Sequence, residues 1–368
     1  MRPKRRAARR AAWLLVASVG SVTLLGLAGC GSVGYLAQSV QGHLGVMNAA
    51  RPVADWLADE RTPAELRERL LVSQRIRDFA VRELALPDNA SYRRYAELDR
   101  PAVVWNVVAA PELSLELKTW CFPVVGCVGY RGYFDRAAAE GQAGELRAED
   151  LEASVYGVPA YSTLGKLPFD YFADPLLSTF IRYPEGELAR LVFHELAHQV
   201  AYAEDDTEFN ESFATAVERL GVERWLTSQA DEATREAYRR FDARRRDFKA
   251  LALDTRKRLE AIFRSAASDA DKRRGKAEAM AHMRAEHQRL KQGPWQGYQG
   301  FDAWFAKANN ASLGVQAAYN ALVPSFEALF EAEGRDFPRF YAQVRRLAAL
   351  PKQERRATLA ALPPAPPS

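Results

Sequence analysis

Leu191-Val-Phe-His194-Glu195-Leu-Ala-His198-Gln199 sets two imidazoles four residues apart, with a carboxylate directly after the first. At about 3.6 residues per turn, positions four apart stack on one face, so on a helix both rings point at one spot. Glu195 lies about 100° round from His194, beside that spot without entering it. Neutral imidazoles suit zinc, which in hydrolytic sites takes three protein ligands and keeps a further position for water. Zinc lowers the pKa of that water to roughly 7, where a neighbouring carboxylate can take its proton. Leu191, Val192, Phe193, Leu196, Ala197 and Val200 surround the motif, so the helix is buried rather than a chance match on an exposed surface. His194 and His198 are therefore read as zinc ligands and Glu195 as the general base. His43, His282 and His287 have no partners in pattern and read as surface residues.

A third ligand must come from further along. Metzincins have Gly three residues and His six residues past the second histidine, but Ala201 and Glu204 stand there. The arrangement instead resembles gluzincin-type peptidases, which use a Glu on the following helix, commonly within N-E-x-x-A. Asn210-Glu211-Ser-Phe-Ala214 has that form, and 12 residues separate His198 from Glu211. This spacing lets one helix finish, turn at Glu204-Asp205-Asp206-Thr207, and return antiparallel. Glu211 is the expected ligand, with Glu208, one turn earlier, as the alternative. Thr215 stands where many thermolysin-like enzymes carry an Asp that braces a ligand histidine, so the brace comes from elsewhere, with Asp205 and Asp206 as candidates.

Outward from the motif, Pro184-Glu185-Gly186-Glu187 opens its helix, which is expected to reach about Ala203, and a second helix covers about 208–228. Before it, Thr62-Pro63-Ala64-Glu65 predicts a helix to about Leu84, with Thr62 as N-cap. Residues 31–60 are mixed and read as helical. Ala102-Val-Val-Trp-Asn-Val-Val-Ala109 is a buried strand, and Val124–Phe134 and Ala153–Leu164 read as further strands, giving a small sheet at about 100–165. Residues 231–292 are dense in Arg, Lys, Glu and Ala, and Ser265–Asp271 marks the turn of a long helical hairpin, read as a solvated arm. Helices at about 301–308, 311–333 and 335–349 follow, then a Pro-rich tail over 351–368 read as disordered. The domain reading is thus a leader at 1–29, a catalytic region at 30–228, a helical region at 229–350 and the tail. The fold class is α+β: a mainly helical, zincin-like body, with the small sheet packed over the site helix and the charged hairpin appended.

The amino terminus has the layout of an export signal. Arg2, Lys4, Arg5, Arg6, Arg9 and Arg10 precede the apolar run from Ala11 to Gly29. That run is long enough to raise an uncleaved membrane anchor as the alternative. Leu27-Ala28-Gly29-Cys30 reads as a lipobox, which makes Cys30 the lipidated residue and places the chain in the cell envelope. Gly31 in place of Asp points to the outer membrane. The whole chain carries 51 basic and 47 acidic side chains, and removal of the leader leaves 45 against 47, a net −2. The sequence pI of 8.9 therefore belongs to the precursor, and nothing in the mature balance indicates nucleic acid. Cys121 and Cys127, close together in an exported chain, read as a disulfide that shapes one turn.

Two further segments are candidates. Tyr161, Ser162 and Thr163 could form the sheet's edge strand, where zinc peptidases pair with an extended substrate backbone, or could be plain sheet structure. Asn309, Asn310 and Tyr319 could contact a tetrahedral oxyanion, with Tyr319 the one retained.

With these residues in view, the chain resembles a family of bacterial putative aminopeptidases, lipoproteins with a zinc-peptidase-like site. The resemblance is carried by Trp105-Asn106-Val107-Val108-Ala109, Trp120-Cys-Phe-Pro with Cys127 and Tyr130-Arg-Gly-Tyr-Phe134, Tyr161-Ser-Thr-Leu-Gly165, Asp174-Pro175, His194–Gln199 and Phe209-Asn-Glu-Ser-Phe-Ala214. It covers about Gly31 to Tyr341 and implies a zinc-dependent peptidase acting on peptides at the envelope. Lys166–Phe172 is longer than that family's usual link into Asp174-Pro175. The G-x-M-E-N segment with which one large aminopeptidase class binds a free amino terminus is absent, because no Met here precedes Glu-Asn. The reading from another class is a non-catalytic envelope lipoprotein with structural zinc, or one that binds a partner through its charged arm. Three ligands beside a Glu favour the open, hydrolytic site.

Overall fold

A computed structural model describes residues 34–122, 126–160, 170–204, 206–316 and 322–362. Cys30, Tyr161, Ser162, Thr163, Asp205 and Tyr319 lie outside the described residues. The chain divides into two units, one ending at Asn48 and one starting at Ala49. The first contributes nearly all of helix α1 (residues 34–49), whose exposed side shows Leu36, Val40 and Leu44.

The second unit opens with β1 (Ala50–Pro52), α2 (Val53–Ala58) and α3 (Ala64–Arg82). Thr62 does not cap α3. Pro63 holds the N-cap position without a side-chain bond, and the Thr62 hydroxyl donates to the Trp56 carbonyl at 2.6 Å. Strands β2 (Arg94–Ala96), β3 (Val104–Pro111), β4 (Trp120–Phe122), β5 (Gly126–Val128) and β6 (Arg131–Tyr133) follow, then α4 (Arg136–Ala148), β7 (Leu151–Val158) and β8 (Leu176–Leu177). The sheet expected at 100–165 is the antiparallel set β6-β3-β7, with Trp105 opposite Tyr133 on one side and Gly157 on the other. A second three-stranded set, β1-β2-β8, joins segments far apart in the chain and includes one parallel pair. Strands of two or three residues leave too little alternation to be read from sequence. Cys121 and Cys127 face each other across the β4–β5 hairpin and form a disulfide.

Val107, Val108, Ala109 and Ala110 of β3 are all fully buried, which explains their unbroken apolar run: the strand is covered on both faces. Helix α4 packs on β3 and β7, through Ala139, Ala143 and Leu146.

The remaining elements are helical: α5 (Glu185–Ala197), α6 (Thr207–Gln229), α7 (Glu232–Arg264), α8 (Asp269–Gln292), α9 (Asp302–Lys307), α10 (Asn310–Val315), α11 (Val323–Ala332), α12 (Phe337–Ala348) and α13 (Lys352–Ala360). The fold is α+β and mostly helical. α10 covers the second face of the sheet, with Ala311 against Val108 and Ala110. The principal neighbours of α5 are α6, α3 and α7, and those of the sheet are α4 and α10. Phe79 of α3 stacks on Phe193 of α5 and meets Trp225 of α6 edge-on at 5.0 Å. Gly221 permits this closeness, since a Cβ there would lie 2.9 Å from the Phe193 ring and 2.7 Å from Leu84.

Four expectations are corrected. α5 stops at Ala197 rather than Ala203, because its last turn tightens into i→i+3 bonds from Gln199 to Leu196 and from Val200 to Ala197. The hairpin of α7 and α8 is more than a solvated arm: Ala252, Leu259, Met280 and Met283 build a core with Trp295, Phe305 and Leu313. His287 belongs to that core, stacked on Phe305 at 4.1 Å between ring centres, so it is not a surface residue. The expected disordered tail begins too early, since Lys352–Ala360 form α13.

Helix α13 is tied down by charge. Arg355, buried, donates to Asp206 at 2.6 Å and to the carbonyls of Leu347, Ala348 and Leu350; Arg356 donates to the other Asp206 oxygen at 2.5 Å. Burial works against the Asp206 carboxylate, but these arginines outweigh it and hold its pKa below the ordinary value. Its contribution is therefore present above the usual carboxylate range and lost as pH falls through the lower, folded value. Asp206→Asn, which strands a buried Arg355, should cost about 3 kcal/mol in urea unfolding at pH 7. The difference from wild type should shrink as the buffer is taken toward pH 3; a pH-independent difference would contradict this pairing.

Candidate metal centre

The end of α5 and the start of α6 build the site. Asp206 caps α6, its side chain accepting from the Phe209 backbone N–H at 3.3 Å. The Asn210 carboxamide then clamps the connection, accepting from Ala203 N–H at 2.7 Å and donating to Ala203 C=O at 2.8 Å. These two contacts set where α6 begins, and so bring Glu211 opposite the two histidines.

His194 Nε2 and His198 Nε2 are 3.2 Å apart. Glu211 places one oxygen 3.4 Å from His194 Nε2 and the other 3.8 Å from His198 Nε2. Ligand atoms at about 2.0–2.1 Å from a tetrahedral zinc ion stand roughly 3.3–3.4 Å from one another. The three donors thus have the separation and the chemistry that a divalent ion requires, and they are the one such group among the described residues. Glu208 is elsewhere, paired with Arg356.

Electrostatics separate the side chains by task. Burial lowers the pKa of His198, and the His194 charge adds to it, bringing it to about 4. Burial opposes charge on His194 as well, but the hydrogen bonds to Glu211 and Glu218 win and raise it to about 10. The facing nitrogens therefore hold one proton between them, at the point where a cation would bind. Burial raises Glu211, but hydrogen bonding to His194 turns the balance and keeps it ionised. Glu195 has no such partner among the described residues: burial, followed by the carboxylates of Glu211 and Asp174, pushes it up to about 7 against the opposing His194 charge. A carboxyl near 7 can both take and return a proton at neutral pH.

The brace on His194 is Glu218, which sequence reasoning missed. Its Oε2 accepts from His194 Nδ1 at 2.9 Å, while Oε1 accepts from Arg190 at 2.5 Å. Burial would raise Glu218, yet Arg190 and His194 bring it down to about 2. A carboxylate can only accept, so Nδ1 keeps its proton and Nε2 is the nitrogen that can release its own to a metal ion. Glu218 lies two turns past Glu211, and a search at seven residues as well as four would have found it. Asp206, the suggested brace, is occupied by Arg355 and Arg356.

Other neighbours hold the motif in place. Gln199 accepts from Asn89 at 2.7 Å and donates to Ser91 at 3.1 Å. Tyr156, on β7 at the sheet's edge, has its phenol pushed up by burial, with Glu211 adding, so the sheet edge lies within electrostatic reach of the cluster. Asn309 and Asn310 are structural: Asn309 caps α10 and accepts from Ser154 at 2.9 Å, and Asn310 donates to the carbonyls of Pro111 and Glu112.

Fold and site together define a mostly helical α+β protein with a His-His-Glu cluster and an adjacent, poised carboxyl. The family model described as "Putative aminopeptidase" matches residues 34–359, and the chain belongs to that family. No curated protein and no solved structure matches it.

Asn210→Ala removes the clamp and leaves two buried backbone groups at Ala203 without a partner, for a loss of about 2 kcal/mol in urea unfolding. Unchanged stability would show that Ala203 is held by something else.

Proposed function

We propose that the chain is a zinc-dependent peptidase of the bacterial cell envelope, with His194, His198 and Glu211 as metal ligands. The observation that supports this most directly is the convergence of three donors at 3.2–3.8 Å beside a carboxyl poised near 7. Bound zinc would supply Lewis-acid polarisation of the scissile carbonyl and of the attacking water. Glu195 takes the proton from that water and then delivers it to the leaving amine. Glu218 keeps His194 in the ligating tautomer. An extended peptide lies along the sheet edge, with Tyr161, Ser162 and Thr163 as its backbone partners and Tyr319 as donor to the developing oxyanion.

The family's description favours removal of amino-terminal residues. Whatever recognises the free amino group differs from the missing G-x-M-E-N segment. Lipidated Cys30 attaches the chain to the membrane, in the outer membrane facing the periplasm. The Cys121–Cys127 disulfide suits that oxidising compartment, and no helix among the described residues is long and apolar enough to cross a bilayer.

The test is metal analysis of the purified full-length chain, combined with digestion of a mixed peptide library. One zinc per chain and cleavage products are expected. Glu195→Gln should retain the zinc while kcat/KM falls by at least about 100-fold. Zinc retained by a wild-type chain that cleaves nothing would leave a zinc-binding lipoprotein instead. Cleavage confined to amino termini would establish the exopeptidase mode.

A further inference from the structure

Glu218 does not end the set of contacts behind His194. Arg190, which donates to Glu218 at 2.5 Å, also donates through Nε to Glu187 at 3.2 Å. Both Glu187 oxygens in turn accept from Arg245 of α7, at 2.8 and 2.7 Å. Arg245 also pairs with Asp242 on its own helix. The charges alternate along a continuous path from the imidazole to the hairpin, through α6, α5 and α7. The side chains of Glu218, Glu187 and Arg245 are only 6, 7 and 14% exposed, so each ion depends on the next: a buried charge stripped of its partner is costly. Backbone geometry keeps the last link close. Gly186, next to Glu187, carries no side chain where a Cβ would fall 2.5 Å from the Tyr238 ring, so α7 can press against the start of α5.

We propose that Arg245 and Glu187 are positioning residues for the metal centre, by which the charged hairpin holds Glu218, and through it His194, in ligating orientation. This rests on the metal-site reading above. Arg245 pins Glu187, Glu187 pins Arg190, and Arg190 leaves Glu218 a single orientation with one oxygen on His194 Nδ1. Outer partners of a ligand histidine govern how tightly the metal is held as well as where the ring points. The hairpin is then a component that tunes metal affinity and not only an appended arm.

The test uses the full-length chain as wild type, Arg245→Ala, Arg245→Lys, Glu218→Gln and the Arg245→Ala/Glu218→Gln double variant, with Arg246→Ala as the exposed control. Zinc affinity is read by chelator competition, and the His194 ring proton by NMR of the metal-free protein. Glu218→Gln should weaken zinc binding by roughly 10- to 100-fold and Arg245→Ala by roughly tenfold. Arg245→Lys should lose less than Arg245→Ala, and Arg246→Ala should lose nothing. The double variant should be no weaker than Glu218→Gln alone, because the effect of Arg245 runs through Glu218. In metal-free Arg245→Ala the Nδ1 proton resonance should move. A folded Arg245→Ala with wild-type zinc affinity and an unmoved resonance would overturn the proposal, as would losses that simply add. A wild-type chain that takes up no zinc, with the resonance still moved in metal-free Arg245→Ala, would overturn the metal reading while leaving the hairpin's hold on His194 in place.

Discussion

The antiparallel seating of α5 against α6 is the constraint on which the rest depends. Contacts run the length of the pair: Glu185 accepts from Trp225, Arg190 donates to Glu218, and His194 meets both Glu218 and Glu211. The seam is closed by Phe193, Phe79 and Trp225, at a distance that Gly221 allows. Burial of these rings provides the apolar stabilisation against which the desolvation of several charged groups must be set. Separate the helices by a few ångströms and the ligand set, its brace and the ion pairs behind it all lose their geometry together.

Within that seam, carboxylates of one chemical type acquire different properties from their neighbours. Glu218 sits between a guanidinium and an imidazole and falls to about 2, whereas Glu195, on the motif helix, is raised by burial to about 7. The first is a permanent anion suited to holding a ring in place. The second is suited to moving a proton. Pairs of carboxyls pushed apart in this way are what acid–base chemistry near neutral pH requires.

The connection between α5 and α6 shows how little chain is needed to fix a site. Its described residues form no helix or strand, but Asn210 holds Ala203 by both backbone groups and Asp206 both caps α6 and anchors α13. The asparagine preceding the ligand glutamate thus has a mechanical role, and the final helix is joined to the loop that positions the ligand.

Local sequence determined the parts whose signal is periodic or closely spaced. The His-Glu-x-x-His turn, the Asn-Glu segment on the next helix, the β3 strand and the two long helices of the hairpin follow from the periodicities of helix and strand, which depend on few residues. The cysteine pair is legible for the same reason. Only the tertiary structure decided that Glu218 braces His194, that Asp206 serves α13 instead, that β1, β2 and β8 form a sheet, and that His287 is buried on Phe305. Each joins residues from separate elements or from turns outside the expected spacing. Such contacts depend on how helices approach one another, a property of packed surfaces that no short window of the chain contains.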